Sequence, residues 1–137
     1  MIDGKKPASA VVLAVFCLVC FGCSGLDLPE LGYVTGTVTR NGEPLEGVVV
    51  EFYSDTEEGG RPGVGVTNSE GFYELKYTGG VEGTKVGPAK VSVTTEWPEG
   101  EPSEGESEEI PVKYNSKSTL KKTVEPGNNV IDLELEF

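Results

Sequence analysis

The stretch at residues 34–53 most constrains the fold, because it predicts two strands separated by a tight turn. The flank before the turn is rich in β-branched residues, and the flank after it is rich in valine and aromatic residues, which favour strands. Between the flanks, Asn41 and Gly42 adopt positive φ at little steric cost, and Pro44 cannot donate a hydrogen bond to a ladder. The pattern therefore predicts an opening β-hairpin.

Short strand patterns separated by turn signals continue through the rest of the chain. Apolar and acidic residues alternate through residues 130–137, which is the period of a strand with one buried face. Further strands are predicted at residues 63–68, 72–77, 88–95 and 120–124. The glycine-rich connection at residues 78–87 is long, which favours a crossover between two sheets. Seven short strands predict an all-β fold, a single antiparallel β-sandwich of transthyretin or immunoglobulin type, with a barrel as the alternative.

The composition argues against several classes of activity. The chain contains no histidine, which removes catalytic triads, metal sites and acid–base chemistry that depend on imidazole. No base is placed to activate a serine or threonine, so the sequence predicts a protein that is not an enzyme and has no cofactor. A net charge of −12 repels phosphate backbones, and nucleic acid is therefore not an expected partner.

The N-terminal segment predicts an export signal rather than part of the fold. Lys5 and Lys6 precede an uncharged, largely apolar run at residues 8–22, which is shorter than the ~20 residues of a spanning helix. A charged start, a short apolar run and small residues at its end are the pattern of a secretory signal peptide. All three cysteines lie in the first 23 residues, so the predicted sandwich contains no disulfide.

The end of the apolar run, residues 19–25, resembles the lipobox of bacterial lipoproteins. In that family a signal peptidase cuts before an invariant cysteine, which carries a diacyl group on sulfur. Gly22 stands at the small position before the cut and Cys23 at the acceptor position, whereas Cys20 and Phe21 depart from the usual residues. An ordinary cleaved signal and an uncleaved anchor are the alternatives. Ser24, which follows the cysteine, implies the outer membrane by the family's sorting rule.

The resemblance divides the chain into three parts. It implies a lipoprotein signal peptide at residues 1–22, a linker with an acylated Cys23 at residues 23–32, and one β-sandwich domain at residues 33–137. Each buried acyl methylene contributes about 0.8 kcal/mol, so two or three acyl chains hold a domain of this size on the bilayer.

A second resemblance rests on turn residues at fixed spacing. The residues that carry it are Gly36-x-Val38-x-x-Asn41-Gly42-x-Pro44-Leu45-x-Gly47-Val48-x-Val50 and Thr67-Asn68-x-x-Gly71-x-Tyr73-x-Leu75. This pattern resembles the carboxypeptidase regulatory-like domain, a transthyretin-like sandwich. The later motifs are Ile110-Pro-x-x-Tyr114-Asn-x-x-Ser118-x-Leu120 and Pro126-Gly127-x-Asn129, which resemble small lipoproteins of planctomycete-type bacteria. The family implies no catalytic residues.

Two binding functions stay open beside this interpretation. Calcium takes hard oxygen ligands from loops, and the chain has two acidic loops, although neither has the Asp-x-Asp-x-Asp-Gly spacing. The ligands in question are Asp55, Glu57 and Glu58 in one loop, and Glu104, Glu106, Glu108 and Glu109 in the other. The second loop, residues 96–109, contains seven glutamates and no basic residue, which predicts a solvated, mobile segment.

A carbohydrate site is the other open function. Trp97 is the only tryptophan and stands in a predicted loop, with Tyr114 further along the chain. An exposed aromatic ring stacks on sugars, whereas the commoner role of a single aromatic residue is to cover the end of a core.

These observations predict a non-catalytic, membrane-anchored lipoprotein of the cell envelope that acts as a binding or structural module. Its expected partners are the membrane, through the lipid on Cys23, and an envelope protein or a glycan. The alternative is a carbohydrate- or calcium-binding surface module. No catalytic, cofactor-binding or metal-binding residue is assigned from the sequence.

Overall fold

The computed structural model describes residues 28–137, in which ten β-strands and two short 3-10 turns follow one another. The strands are β1 (Leu31–Arg40), β2 (Glu43–Pro44), β3 (Val48–Ser54), β4 (Gly63–Val66), β5 (Phe72–Glu74), β6 (Thr84–Lys85), β7 (Gly87–Thr95), β8 (Lys121–Val124), β9 (Gly127–Val130) and β10 (Leu133–Leu135). The 3-10 turns are Thr78–Gly80 and Val112–Tyr114. Within this part of the chain, no helix has the length and apolarity needed to cross a membrane. Cys23 and the predicted signal peptide lie outside the described residues.

The strands form two sheets packed face to face. In the first sheet β1 is central, with β6, β5 and β2 antiparallel along one side and β9 and β10 parallel along the other. The second sheet is antiparallel, in the order β4-β3-β7-β8. The predicted all-β sandwich is confirmed. The sequence does not specify that β1 pairs in parallel with β9 and β10. The alternation of apolar and polar residues along a strand indicates which face is buried, but it does not indicate which strand lies next to it.

The predicted hairpin at residues 34–53 is wrong in its pairing, although both of its strands exist. The turn is present, with φ of 51° at Asn41 and 88° at Gly42, but β1 pairs there only with the two residues of β2. The Leu45 amide then donates to the Val38 carbonyl at 2.9 Å. Beyond that bond, a positive φ of 75° at Gly47 lets the chain leave β1, and β3 joins the opposite sheet.

The predicted crossover at residues 78–87 is confirmed. The chain leaves β5 and β6, which pair with β1, and enters β7, which pairs with β3 in the other sheet. The two sheets also meet at one corner, where Val64 and Lys76 exchange two backbone hydrogen bonds of 2.9 Å.

The core lies between the sheets and draws its side chains from both. Phe52 of β3 and Tyr73 of β5 are its largest fully buried residues, with ring centroids 6.5 Å apart. The alternation predicted for residues 130–137 is confirmed, since Leu133 and Leu135 are buried and Glu134 is exposed between them. The remaining buried apolar residues are Val34, Val38, Val48, Val50, Leu75, Ala89, Val91, Val93, Ile110, Tyr114 and Val124.

Candidate functional site

The two acidic loops lie at opposite ends of the sandwich. We call the end where β1 begins, at Leu31, the near end, and the end where it finishes, at Arg40, the far end. Leu31 pairs with Lys85, whose ammonium lies 3.3 Å from the Glu58 carboxylate, so the first acidic loop is at the near end. The loop at residues 96–109 follows β7 at the far end, where the Glu96 amide donates to the Gly47 carbonyl.

This separation weighs against the calcium alternative. Within residues 28–137, no three acidic side chains come together in a way that could hold a metal ion. Two carboxylates of the near-end loop instead face lysines, with Glu58 3.3 Å from Lys85 and Asp55 3.3 Å from Lys121. The geometry of the described residues therefore offers calcium no preformed cage of oxygen ligands.

The C-terminal part of the far-end loop is attached to the sandwich through the side chain of one of the seven glutamates. The Glu108 carboxylate accepts the Thr95 amide at 3.0 Å, the Thr95 hydroxyl at 2.6 Å and the Ile110 amide at 3.0 Å. The loop is exposed, as its composition predicts, but its C-terminal end is held against the last residue of β7. Charge-assisted hydrogen bonds of this kind are about twice as strong as neutral ones.

Replacing Glu108 with alanine is expected to release this loop. Because three donors lose their acceptor, we expect the Thr95 and Ile110 amides to exchange with deuterium faster, with a loss of about 1–2 kcal/mol of unfolding free energy. Hydrogen exchange read by mass spectrometry measures both effects. Glu104→Ala is the matched control, since Glu104 lies in the same loop and hydrogen-bonds to no described residue. Equal exchange in the two variants would contradict the role of Glu108.

Trp97 and Tyr114, the aromatic residues of the carbohydrate alternative, have different environments. Trp97 is half-buried and lines an open depression of about 390 Å³ at the far end, together with Glu106 and Glu109. Tyr114 is buried, and its hydroxyl donates to the carbonyl of Glu136 and accepts the amide of the same residue. Tyr114 therefore closes the core, the commoner role of a single aromatic residue, and its ring is not available to a sugar.

A second depression lies on the outer face of the four-stranded sheet and was not predicted from the sequence. It encloses about 410 Å³, and we call it the polar cleft. Its floor comes from β3 and β7, where Glu51 pairs with Ser92 and Tyr53 pairs with Lys90. The residues that line the polar cleft are Glu51, Tyr53, Lys90, Ser92, Thr94, Asn115, Ser116 and Ser118.

The wall of the polar cleft is a loop segment fixed to the edge of β7. The Asn115 amide group donates to the Val93 carbonyl at 3.3 Å, and the Ser118 hydroxyl donates to the Val91 carbonyl. Strand β8 pairs only with residues 87–90 of β7, so residues 115–118 take its place beside the rest of that strand. Hydrogen bonds from its own side chains therefore fix this wall beside β7.

Tyr53 and Glu51 form a hydrogen-bonded pair on the floor of the polar cleft. The Tyr53 hydroxyl donates to the Glu51 carboxylate at 2.5 Å. This hydrogen bond, with a smaller effect of burial, raises the pKa of Tyr53 to about 12. Tyr53 remains 40% exposed. Four further side chains of the polar cleft hydrogen-bond to no described residue: Lys90, Ser92, Thr94 and Ser116.

The fold and these two depressions define the chain as a small all-β sandwich with a polar surface cleft. No protein-family profile matches the sequence, and no curated protein is significantly similar to it. Among solved structures, the chain is similar to the crystal structure of a DUF3823 family protein from Parabacteroides merdae, with 17% identity and a TM-score of 0.43. The match covers 77% of this chain and 46% of the other, so this chain spans less than half the length of that protein.

Proposed function

We propose that this protein is a non-catalytic lipoprotein of the cell envelope, anchored through Cys23, whose sandwich acts as a binding or structural module. The observation that carries the proposal is the lipobox-like sequence ending at Cys23, eight residues before β1 begins at Leu31. Eight extended residues span at most about 28 Å, so the anchor holds the near end of the sandwich close to the bilayer. The side faces and the far end stay accessible from solvent.

The electrostatics of the sandwich support a role without catalysis. Active sites gather groups with shifted pKa values in a common pocket. Among the described residues, the pKa values that clearly shift belong to Tyr53 and Tyr73, and each shift has a structural cause. Tyr53 is bonded to Glu51 on a surface, and Tyr73 is buried in the core.

The geometry of the turns supports the carboxypeptidase regulatory-like assignment, as part of the same proposal. The Asn68 side chain accepts the amides of Glu70 and Phe72 and so fixes the turn before β5. Gly71 completes this turn with a φ of 75°. The motif residues thus organise turns and leave the surface free to vary, as in a scaffold whose binding groups lie elsewhere.

Export of the full chain in a Gram-negative host tests the anchor. We expect the mature protein to sediment with membranes and to have the mass of residues 23–137 plus acyl groups. Cys23→Ser is expected to move the protein to the soluble or unprocessed fraction, because the acyl acceptor is lost. Cys20→Ser is the matched control and should stay acylated. An acyl-free membrane protein that starts at Met1 would contradict the proposal and indicate an uncleaved anchor.

A further inference from the structure

We infer that the polar cleft is a binding site for an uncharged glycan chain, an inference that rests on the proposed function and specifies its ligand. The polar cleft combines a partly exposed aromatic ring with hydroxyl, carboxylate and ammonium groups. Sugars present the same two chemistries, since their C–H faces are apolar and their edges carry hydroxyls. A surface that offers both within 410 Å³ matches a short run of sugar units.

The unpaired hydroxyls of β7 supply the polar half of this recognition. Ser92 and Thr94 are two residues apart on one strand, so their side chains leave the same face about 7 Å apart. A hydroxyl both donates and accepts, which suits a ligand whose own hydroxyls do the same. Ser116 adds a third such group from the wall. None of the three is hydrogen-bonded to another described residue, so a ligand replaces only water there.

The Tyr53 ring supplies the apolar half of this recognition, and Glu51 fixes the position of the ring. The hydrogen bond between them, 2.5 Å long, restrains the aromatic ring before a ligand arrives. Because the ring is already restrained, less conformational entropy is lost when a ligand binds. It occupies one oxygen of the Glu51 carboxylate, and the other oxygen hydrogen-bonds to no described residue. That oxygen is available to accept a sugar hydroxyl.

The charges of the polar cleft select an uncharged ligand. It contains one carboxylate, on Glu51, and one ammonium, on Lys90, so its own charge is balanced. The protein around it has a net charge of −12, which repels an anionic polymer. A peptide partner is less favoured, since every residue that lines the polar cleft carries a polar group and the buried centre of a protein interface is depleted in charged residues.

Titration of the full chain in detergent with cellohexaose, xylohexaose and mannohexaose tests the inference by calorimetry. We expect at least one hexasaccharide to bind with a Kd of about 0.1–1 mM. Tyr53→Ala and Ser92→Ala should each weaken that binding, Tyr53→Ala by about tenfold or more. Tyr33→Ala is the matched control, because Tyr33 is an exposed tyrosine on the other sheet. A thermal melt of each variant verifies that it is folded.

Several outcomes would overturn the inference. One is that no hexasaccharide binds at about 10 mM, and another is that polygalacturonate binds more tightly than the neutral chains. A third is that Trp97→Phe abolishes binding while Tyr53→Ala does not, which would place the site at the far end. Cys23→Ser leaves the polar cleft intact, so unchanged glycan binding by that variant separates this inference from the proposed anchor.

Discussion

Gly36→Ala is expected to destabilise the sandwich by about 3 kcal/mol or more, because it forces a carbon atom into a backbone carbonyl. A Cβ built on Gly36 would lie 2.0 Å from the Ile131 carbonyl oxygen and 3.1 Å from the Tyr73 ring. That carbonyl has little freedom to move. It accepts the Tyr73 hydroxyl at 2.5 Å, while the Ile131 amide donates to the Thr35 carbonyl at 2.8 Å.

Urea denaturation followed by circular dichroism measures this effect. Gly100→Ala is the control, because a Cβ there meets no atom within 4 Å and the φ of 82° is the main source of strain. The control should cost only about 1 kcal/mol, the usual cost of a left-handed residue with a side chain. A Gly36→Ala variant as stable as Gly100→Ala would show that β1 does not approach residue 131 as described.

The importance of Gly36 is hard to predict from the sequence, because its neighbour is 95 residues away. Strand β1 switches partner at this point, from β9 to β10, and the intervening Asp132 side chain accepts the Thr37 amide in place of a strand partner. A glycine in a run of β-branched residues signals close approach of backbone. The sequence does not say what approaches.

The elements themselves were largely predictable, and their neighbours were not. Alternation at residues 72–77 and 130–137 reports which side chains are buried, and Asn41-Gly42 reports a turn, because both depend on local chemistry. Pairing depends on contacts between distant segments. The hairpin prediction failed for that reason. The Leu45 amide donates to the Val38 carbonyl, and after this hydrogen bond the chain crosses to the other sheet.

The candidate sites follow the same division. Among seven glutamates of one loop, nothing local marks Glu108 as the residue that binds Thr95 and Ile110. The lining of the polar cleft comes from outward positions of β3 and β7 and from the segment at residues 115–118. Outward polar residues of a strand are assigned to solvent by default. Only the adjacency of β3 and β7, and the wall beside them, turns those positions into a cleft.

Raising the pH above about 10, where a free tyrosine ionises, is expected to destabilise the protein through Tyr73. Burial, with a smaller contribution from the charge of Asp132, raises the pKa of Tyr73 far above its usual range. The unfolded chain therefore loses the phenolic proton first. The contribution of Tyr73 to the unfolding free energy is fully present below about pH 10. It falls as the pH rises above that value, by at most about 1.4 kcal/mol per pH unit.

Tyr53 contributes in the same direction, because its pKa is raised to about 12, but it is 40% exposed and solvent weakens its effect.

Urea denaturation between pH 8 and 11.5 measures the loss of stability for the wild-type protein, Tyr73→Phe and Tyr53→Phe. Tyr73→Phe should start less stable by about 1 kcal/mol, because the bond to the Ile131 carbonyl is lost. Its stability should then fall less steeply with pH, since phenylalanine has no proton to lose. If stability falls equally steeply with pH in Tyr73→Phe and in the wild type, the loss of stability at high pH is not due to Tyr73. If stability does not fall with pH in Tyr53→Phe, the loss is due to the hydrogen-bonded pair of Tyr53 and Glu51 instead.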